Sequence, residues 1–116
     1  MVSSILKGNI FLINLDPSFG SEHGRTRPAL IIQNDILNRF SPLTIIAPIT
    51  SKIYEKEYPT NVFISKKDSG LDRDSTILLN QIRVIDKRRI LKKIGSLDSS
   101  VMKRVGRAIK VSLDLD

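Results

Sequence analysis

The sequence predicts a mainly β domain, a small barrel of five or more short strands closed by helices at its C-terminal end. Three observations carry this expectation. Strand-length apolar runs recur between turn signals built from Gly, Pro, Asp and Asn. The apolar period changes from strand-like to helical after residue 85. Finally, 116 residues suffice for one core, and a sheet this small hides its edges best by curling into a barrel. No repeat, low-complexity tract or linker divides the chain, so residues 1–116 read as one domain.

The elements follow in order. Residues 7–15 (KGNIFLINL) form an apolar run ended by Asp16-Pro17. A polar loop with Gly20 and Gly24 covers residues 18–26. Residues 27–33 (RPALIIQ) read as a buried strand, residues 34–41 as a break with one helical turn, and residues 43–50 (LTIIAPIT) as another strand. Pro48 cannot donate to a ladder, which predicts an edge position or a bulge there. Residues 52–59 are charged and expected to be mobile. Residues 60–65 and 75–85 read as two more strands, separated by the turn chemistry of KKDSGLDRD. Residues 86–94 (DKRRILKKI) place Ile90, Leu91 and Ile94 at helical spacing. Asp98 or Ser99 can cap a last helix with Val101, Met102, Val105, Ala108 and Ile109 inside and Lys103, Arg104, Arg107 and Lys110 outside. Leu97 and Met102 stand where a hydrophobic staple places them.

Composition removes several chemistries. There is no cysteine, hence no disulfide, thiol nucleophile, cysteine zinc site or iron–sulfur cluster. One histidine, His23, cannot make a two-histidine acid–base pair, and no cluster suggests a metal site or cofactor. Neither a signal peptide nor an apolar run of membrane-spanning length is visible, which predicts a cytoplasmic protein with no membrane partner. The net charge is +7, and it is uneven: residues 83–110 carry ten basic and two acidic side chains, while residues 1–82 carry nine and eight. Such a stripe suits a polyanion or an acidic protein partner; it is equally the pattern of a solvated helical face.

Among candidate groups, Arg27 stands out because Pro28 pushes its backbone toward extended geometry at the mouth of a strand. Arg25 lies on the same side if the segment is extended, and paired guanidiniums beside glycines read phosphate well. The plain alternative is a salt bridge from Arg27 to Glu22 or Asp35. Thr50 and Ser51 end a strand, where a hydroxyl can meet a phosphate or merely terminate the strand. His23 is either a proton carrier or exposed loop surface. Asp68, Asp72 and Asp74 lack the spacing of a calcium loop and read as turn residues. Phe19, Tyr54 and Tyr58 could stack on bases; Phe11 and Phe63 read as core.

Over nearly its whole length the chain resembles the MazF/PemK family of toxin–antitoxin ribonucleases. The resemblance is carried by GNIFLINLDPSFGSEHGRTRPALIIQND (residues 8–35), NRFSPLTIIAPITSKI (38–53) and DSTILLNQIRVIDKRRI (74–90). It implies an SH3-like small β-barrel with short helices and a C-terminal helix, forming a two-fold homodimer. It also implies metal-independent, sequence-specific cleavage of single-stranded RNA, and no cofactor. Arg27 matches the family's catalytic arginine before proline, and Thr50 its partner threonine. Glu22 and its surrounding loop match the segment bordering the active site, which brings Phe19, Ser21, His23 and Arg25 in as RNA-binding candidates together with Ser51. Asn34 and Gln81 match polar positions of the RNA groove. Asn9, His23, Pro48 and Asn80 depart from the family pattern, and none touches the Arg27/Thr50 pair.

Residue chemistry and resemblance agree. Cleavage without a metal requires the RNA 2′-hydroxyl to attack its own phosphate, and a guanidinium and a hydroxyl are the groups left to stabilise the developing charge. The partners implied are single-stranded RNA, a cognate antitoxin with an acidic segment, a second copy of the chain, and operator DNA reached through the antitoxin complex. A basic SH3-like module that binds nucleic acid or an acidic protein segment without catalysis is the competing reading.

Overall fold

The computed structural model describes residues 4–15 and 26–116. Seven strands and three helices occur in the order β1 (Asn9–Asn14), β2 (Thr26–Ile31), α1 (Asp35–Phe40), β3 (Leu43–Thr50), β4 (Asn61–Ile64), α2 (Lys66–Ser69), β5 (Ser75–Leu78), β6 (Arg83–Asp86), β7 (Ile90–Ser96) and α3 (Ser99–Leu113). A single 3₁₀ turn, Lys87–Arg89, links β6 to β7. All strand pairs are antiparallel.

Strand pairing gives a row β6-β3-β2-β1-β7, with β5 and then β4 added on the far half of β3. The row's two outer strands are consecutive in sequence. Laid flat, five strands would hold them about 19 Å apart. Three intervening residues span at most about 14 Å. The row must therefore roll up, and its inner face packs Phe11, Ile13, Ala29, Ile31, Ile46, Ile85 and Ile90 together. The result is a barrel-like sheet, curled without a continuous ladder around it. Its other face carries Ile10, Leu30, Ala47 and Ile49, packed with Val62, Ile64 and Ile77 against Val101, Val105 and Ala108 of α3.

Helix α3 begins where the sequence places it. The Asp98 carboxylate accepts from Val101 N at 3.0 Å, Leu97 and Met102 pack as a staple, and Lys103, Arg104, Arg107 and Lys110 are exposed. Between β2 and β3, Gln33, Asn38 and Thr44 form a buried polar network. Gln33 Nε2 donates to Asn38 Oδ1 at 3.0 Å, and Thr44 Oγ1 donates to the same oxygen at 2.8 Å. These bonds fix α1 to the start of β3.

Four expectations fail: Phe63, read as core, is exposed on β4, and the other three fail for tertiary reasons. Residues 86–94 are not helical: Asp86 caps the 3₁₀ turn, and β7 follows, paired to β1 with two register shifts. Pairing to β1 overrides a helical spacing of only three apolar residues. The 75–85 run is two strands, because β5 and β6 pair with different halves of β3, at Ile49–Thr50 and at Leu43–Ile46. Pro48 lies on an interior strand in regular register, opposite Ala29. It is tolerated because its pair with Ala29 is not a hydrogen-bonded one, and its missing N–H faces the other flank, where β3 is passing from β6 to β5.

Candidate active site

The end of that ladder makes the site. Pairing of β2 with β3 runs Ile31–Ile46, Leu30–Ala47, Ala29–Pro48 and stops, although β2 begins at Thr26 and β3 continues to Thr50. Next in register come Pro28 and Ile49, then Arg27 and Thr50. The next hydrogen-bonded pair would be 28–49, and Pro28 has no N–H to donate to it, so the ladder closes there. Between the unpaired ends lies a cleft of about 420 Å³ lined by Arg27, Pro28, Ile49, Thr50, Ser51, Leu71, Asp72, Arg73 and Ser75.

Arg27 remains anchored on its other flank, opposite Ile13 of β1, and its side chain is exposed. No ion pair joins it to a described residue. Asp35, one of its suggested partners, is at the far end of β2, where its carboxylate accepts from Lys7 N at 2.7 Å and from Asn38 Nδ2 at 3.2 Å. Thr50 is half-buried, opposite Thr76 of β5, and its Oγ1 accepts from Lys52 N at 3.2 Å. A hydroxyl that accepts one bond keeps its proton for donation into the cleft. Thr76 Oγ1 in turn donates to Lys52 O at 2.9 Å, which ties down the chain leaving Thr50. Ser51 lines the cleft and is exposed.

Not every candidate gathers here. Asn34 caps α1, accepting from Leu37 N at 2.9 Å, and stands beyond the opposite end of β2. Gln81 is exposed in the turn between β5 and β6 and does not line the cleft. Phe19, Ser21, Glu22, His23 and Arg25 lie outside the described residues.

The structure adds groups that residue reading passed over. Arg73 is a second guanidinium in the cleft, and Asp72 is its one carboxylate among the described lining residues. Both come from the stretch read only as turn chemistry. What delivers them is α2, capped by Ser65 and ended by Gly70 at φ 80°, which docks its last turn on Gly95 of β7. A second cleft, of about 430 Å³, shares Pro28, Leu71 and Asp72 with the first and adds Lys92 and Lys93. Part of the basic stripe thus continues the floor beside Arg27. The rest is spread over α3 and the 3₁₀ turn, where Arg88 pairs with Asp86 at 3.0 Å and pulls its carboxyl below the ordinary range. Among the described residues no three His, Cys, Asp or Glu side chains gather as a metal site, and no helix is long and apolar enough to cross a membrane.

The family model for the PemK-like, MazF-like toxin of type II toxin–antitoxin systems matches residues 6–113, and the chain belongs to that family. It is 49% identical over 111 residues to endoribonuclease EndoA of Bacillus subtilis strain 168, covering 96% of each chain. Among solved structures, it matches Mycobacterium tuberculosis toxin MazF-mt6 with a TM-score of 0.79 at 24% identity, over 93% of this chain and 98% of that one. It matches MazF from Deinococcus radiodurans with a TM-score of 0.78 at 24% identity, over 98% and 100%. These two likenesses establish the fold, including the SH3-like small barrel expected from the sequence.

Proposed function

We propose that the chain is the toxin of a toxin–antitoxin pair and a sequence-specific endoribonuclease that cuts single-stranded RNA without a metal. The observation that carries this reading is the convergence of Arg27 and Thr50 on one cleft, in a chain 49% identical to an endoribonuclease. In the reaction the 2′-oxygen attacks the adjacent phosphorus and loses its proton, while the 5′-oxygen leaves and gains one. Arg27 donates to the non-bridging oxygens as negative charge builds, with Arg73 as a second source of donors. Thr50, oriented by the Lys52 N–H, donates its hydroxyl proton to the phosphate or the departing oxygen. Lys92 and Lys93 attract the RNA backbone alongside. The products are a 2′,3′-cyclic phosphate and a 5′-hydroxyl.

The +7 charge supports an acidic antitoxin segment as inhibitor, steered electrostatically onto the same basic surface. Ile36 and Phe40, 74% and 75% exposed on α1 beside exposed Leu43 and Val84, support a homodimer through that face. A sedimentation mass of twice the 13.1 kDa chain is expected. The toxin acts in the cytoplasm, with its RNA.

The test of the chemistry is mass spectrometry of cut ends together with variant rates. Arg27→Ala lowers the rate by at least about 10²-fold with RNA binding largely kept. Thr50→Ala acts in the same direction, and EDTA leaves the rate unchanged. A 5′-phosphate end, or an Arg27→Ala protein cutting at the normal rate, refutes the mechanism. RNA binding without any cutting would favour the non-catalytic basic module.

A further inference from the structure

A third cleft, of about 440 Å³, opens beside the segment that follows Thr50 and is not needed for the chemistry above. Half of the chain's six aromatic side chains, Tyr54, Tyr58 and Phe63, line it. Tyr58 and Phe63 are 47% and 45% exposed, so large ring surfaces face water uncovered. The two tyrosine rings stand 5.8 Å apart at 86°, edge to face, and so leave ring surface unstacked. Three cations stand close to them, with Glu57 the one carboxylate among the described lining residues. Lys52 Nζ lies 4.8 Å from the centre of the Tyr54 ring, Lys56 lines the cleft, and Arg104 is fixed at its rim by a 3.0 Å bond to Phe63 O.

The cleft is joined rigidly to the Arg27–Thr50 site. Thr76, which lines it, pairs with Thr50, and its hydroxyl holds Lys52 O. Three residues of chain, Ser51, Lys52 and Ile53, separate Thr50 from Tyr54. Exposed aromatic rings beside cations, on the segment that leads away from Thr50, are what an unpaired nucleobase requires: rings for the base and charges for the flanking phosphate.

Resting on the ribonuclease reading, we propose that this cleft is a base subsite, in which one unpaired base next to the cut stacks on one of the two perpendicular tyrosine rings and packs edge-on against the other. Lys52, Lys56 and Arg104 meet the backbone there. Tyr54 and Tyr58 are thus specificity-determining residues that act on binding rather than on bond cleavage.

The experiment has two arms on the intact protein. In the first, a random single-stranded RNA pool is cut and the ends are sequenced. Tyr54→Ala and Tyr58→Ala each raise KM by about 5- to 100-fold with kcat little changed, and flatten base preference at one position beside the cut. Tyr54→Phe, which keeps the ring, behaves as wild type. In the second arm the same pool, carrying 5-iodouridine, is photocrosslinked to Arg27→Ala protein, and the attached peptide is identified. Attachment within residues 52–58 supports the subsite even if the wild type cuts nothing, in which case the ribonuclease reading alone fails. Normal cutting with unaltered base preference and KM in both alanine variants overturns the subsite and leaves that reading standing. Equal damage from Tyr54→Phe overturns stacking. Crosslinks confined to other segments, with poly-glutamate but not RNA shielding the tyrosines, would assign the cleft to an acidic protein segment and overturn the proposal.

Discussion

Alanine at Gly95 and alanine at Gly106 are the same chemical change with opposite expected signs. A Cβ on Gly95 would fall 2.2 Å from the Ser69 carbonyl oxygen and 3.1 Å from its carbon. An ordinary carbon–oxygen contact needs about 3.3 Å, so the end of α2 must retreat by about 1 Å. It has little room, because a Cβ at Gly70 would already lie 2.8 Å from Ile94 O, and Ser69 is buried. Overpacking of this kind costs about 1–3 kcal/mol, and pressing on backbone puts Gly95→Ala near the top of that range. At about 4 °C per kcal/mol for a chain of this length, Tm should fall by about 10 °C. The displaced turn leads straight into Leu71, Asp72 and Arg73 of the cleft, so RNA cleavage well below Tm should also drop, by about 10- to 100-fold. Gly106 is in the middle of α3, and a Cβ there meets nothing within 4 Å. Gly106→Ala should therefore gain about 0.5–1 kcal/mol and raise Tm by about 2–4 °C without touching the rate. Circular-dichroism melts and cleavage assays on both variants decide the matter. A Gly95→Ala protein that melts with the wild type would refute the docking of α2 on β7. One that melts early yet cuts normally would remove residues 71–73 from the site.

Lys92→Gln and Lys93→Gln should each weaken RNA binding about equally for all sequences and lower the magnitude of the log–log salt slope by about 0.7, as loss of one phosphate contact to a single strand requires; titrations from low to moderate salt measure it. The Asp98 carboxyl is held below its ordinary range chiefly by the Val101 N–H and next by the Ser100 hydroxyl, so its contribution to stability is present above about pH 4 and is lost as pH falls through the lower folded value. Asp98→Asn keeps an acceptor for the cap and should flatten the acid limb of the Tm–pH curve, whereas Asp98→Ala should lower Tm across the whole range.

How much of this was legible in the sequence varies with the range of the forces involved. The start of helix α3 could be read to within one residue, with Asp98 or Ser99 as its cap, since cap, staple and inner face are local features of residues 97–109. Strands β1 to β4 were legible as apolar runs between turn residues. Residues 86–94 were not, because their conformation is set by pairing with β1, about 80 positions away. The split between β5 and β6 was hidden for a similar reason: each answers to a different half of β3. In the site, Arg27 and Thr50 could be picked out, the first by Pro28 and both by family resemblance. Arg73 could not, since nothing near it in sequence says that α2 will turn it toward β2. A glycine at position 95, inside a strand, is the one local trace of that close approach.

Proline explains why the barrel opens where it does. In an antiparallel ladder alternate pairs exchange hydrogen bonds; here these are 32–45, 30–47 and then 28–49, where β2 presents Pro28 with no N–H to donate. Past that point the strands have lost the means to continue pairing, but each is held on its other flank, Arg27 by β1 and Thr50 by β5. The gap is thus kept open by rigid neighbours, and it needs no flexible loop to form. Two strand ends that cannot pair leave polar groups without partners across the gap, a configuration that favours a ligand rich in acceptors and donors. Arg27 and Thr50 sit on those ends, opposite one another in register and on the same face of the sheet. Replacing Pro28 with a residue that can donate would let the ladder advance by one step and narrow the cleft, so the feature that most weakens the sheet is also the one that keeps the proposed reacting groups apart.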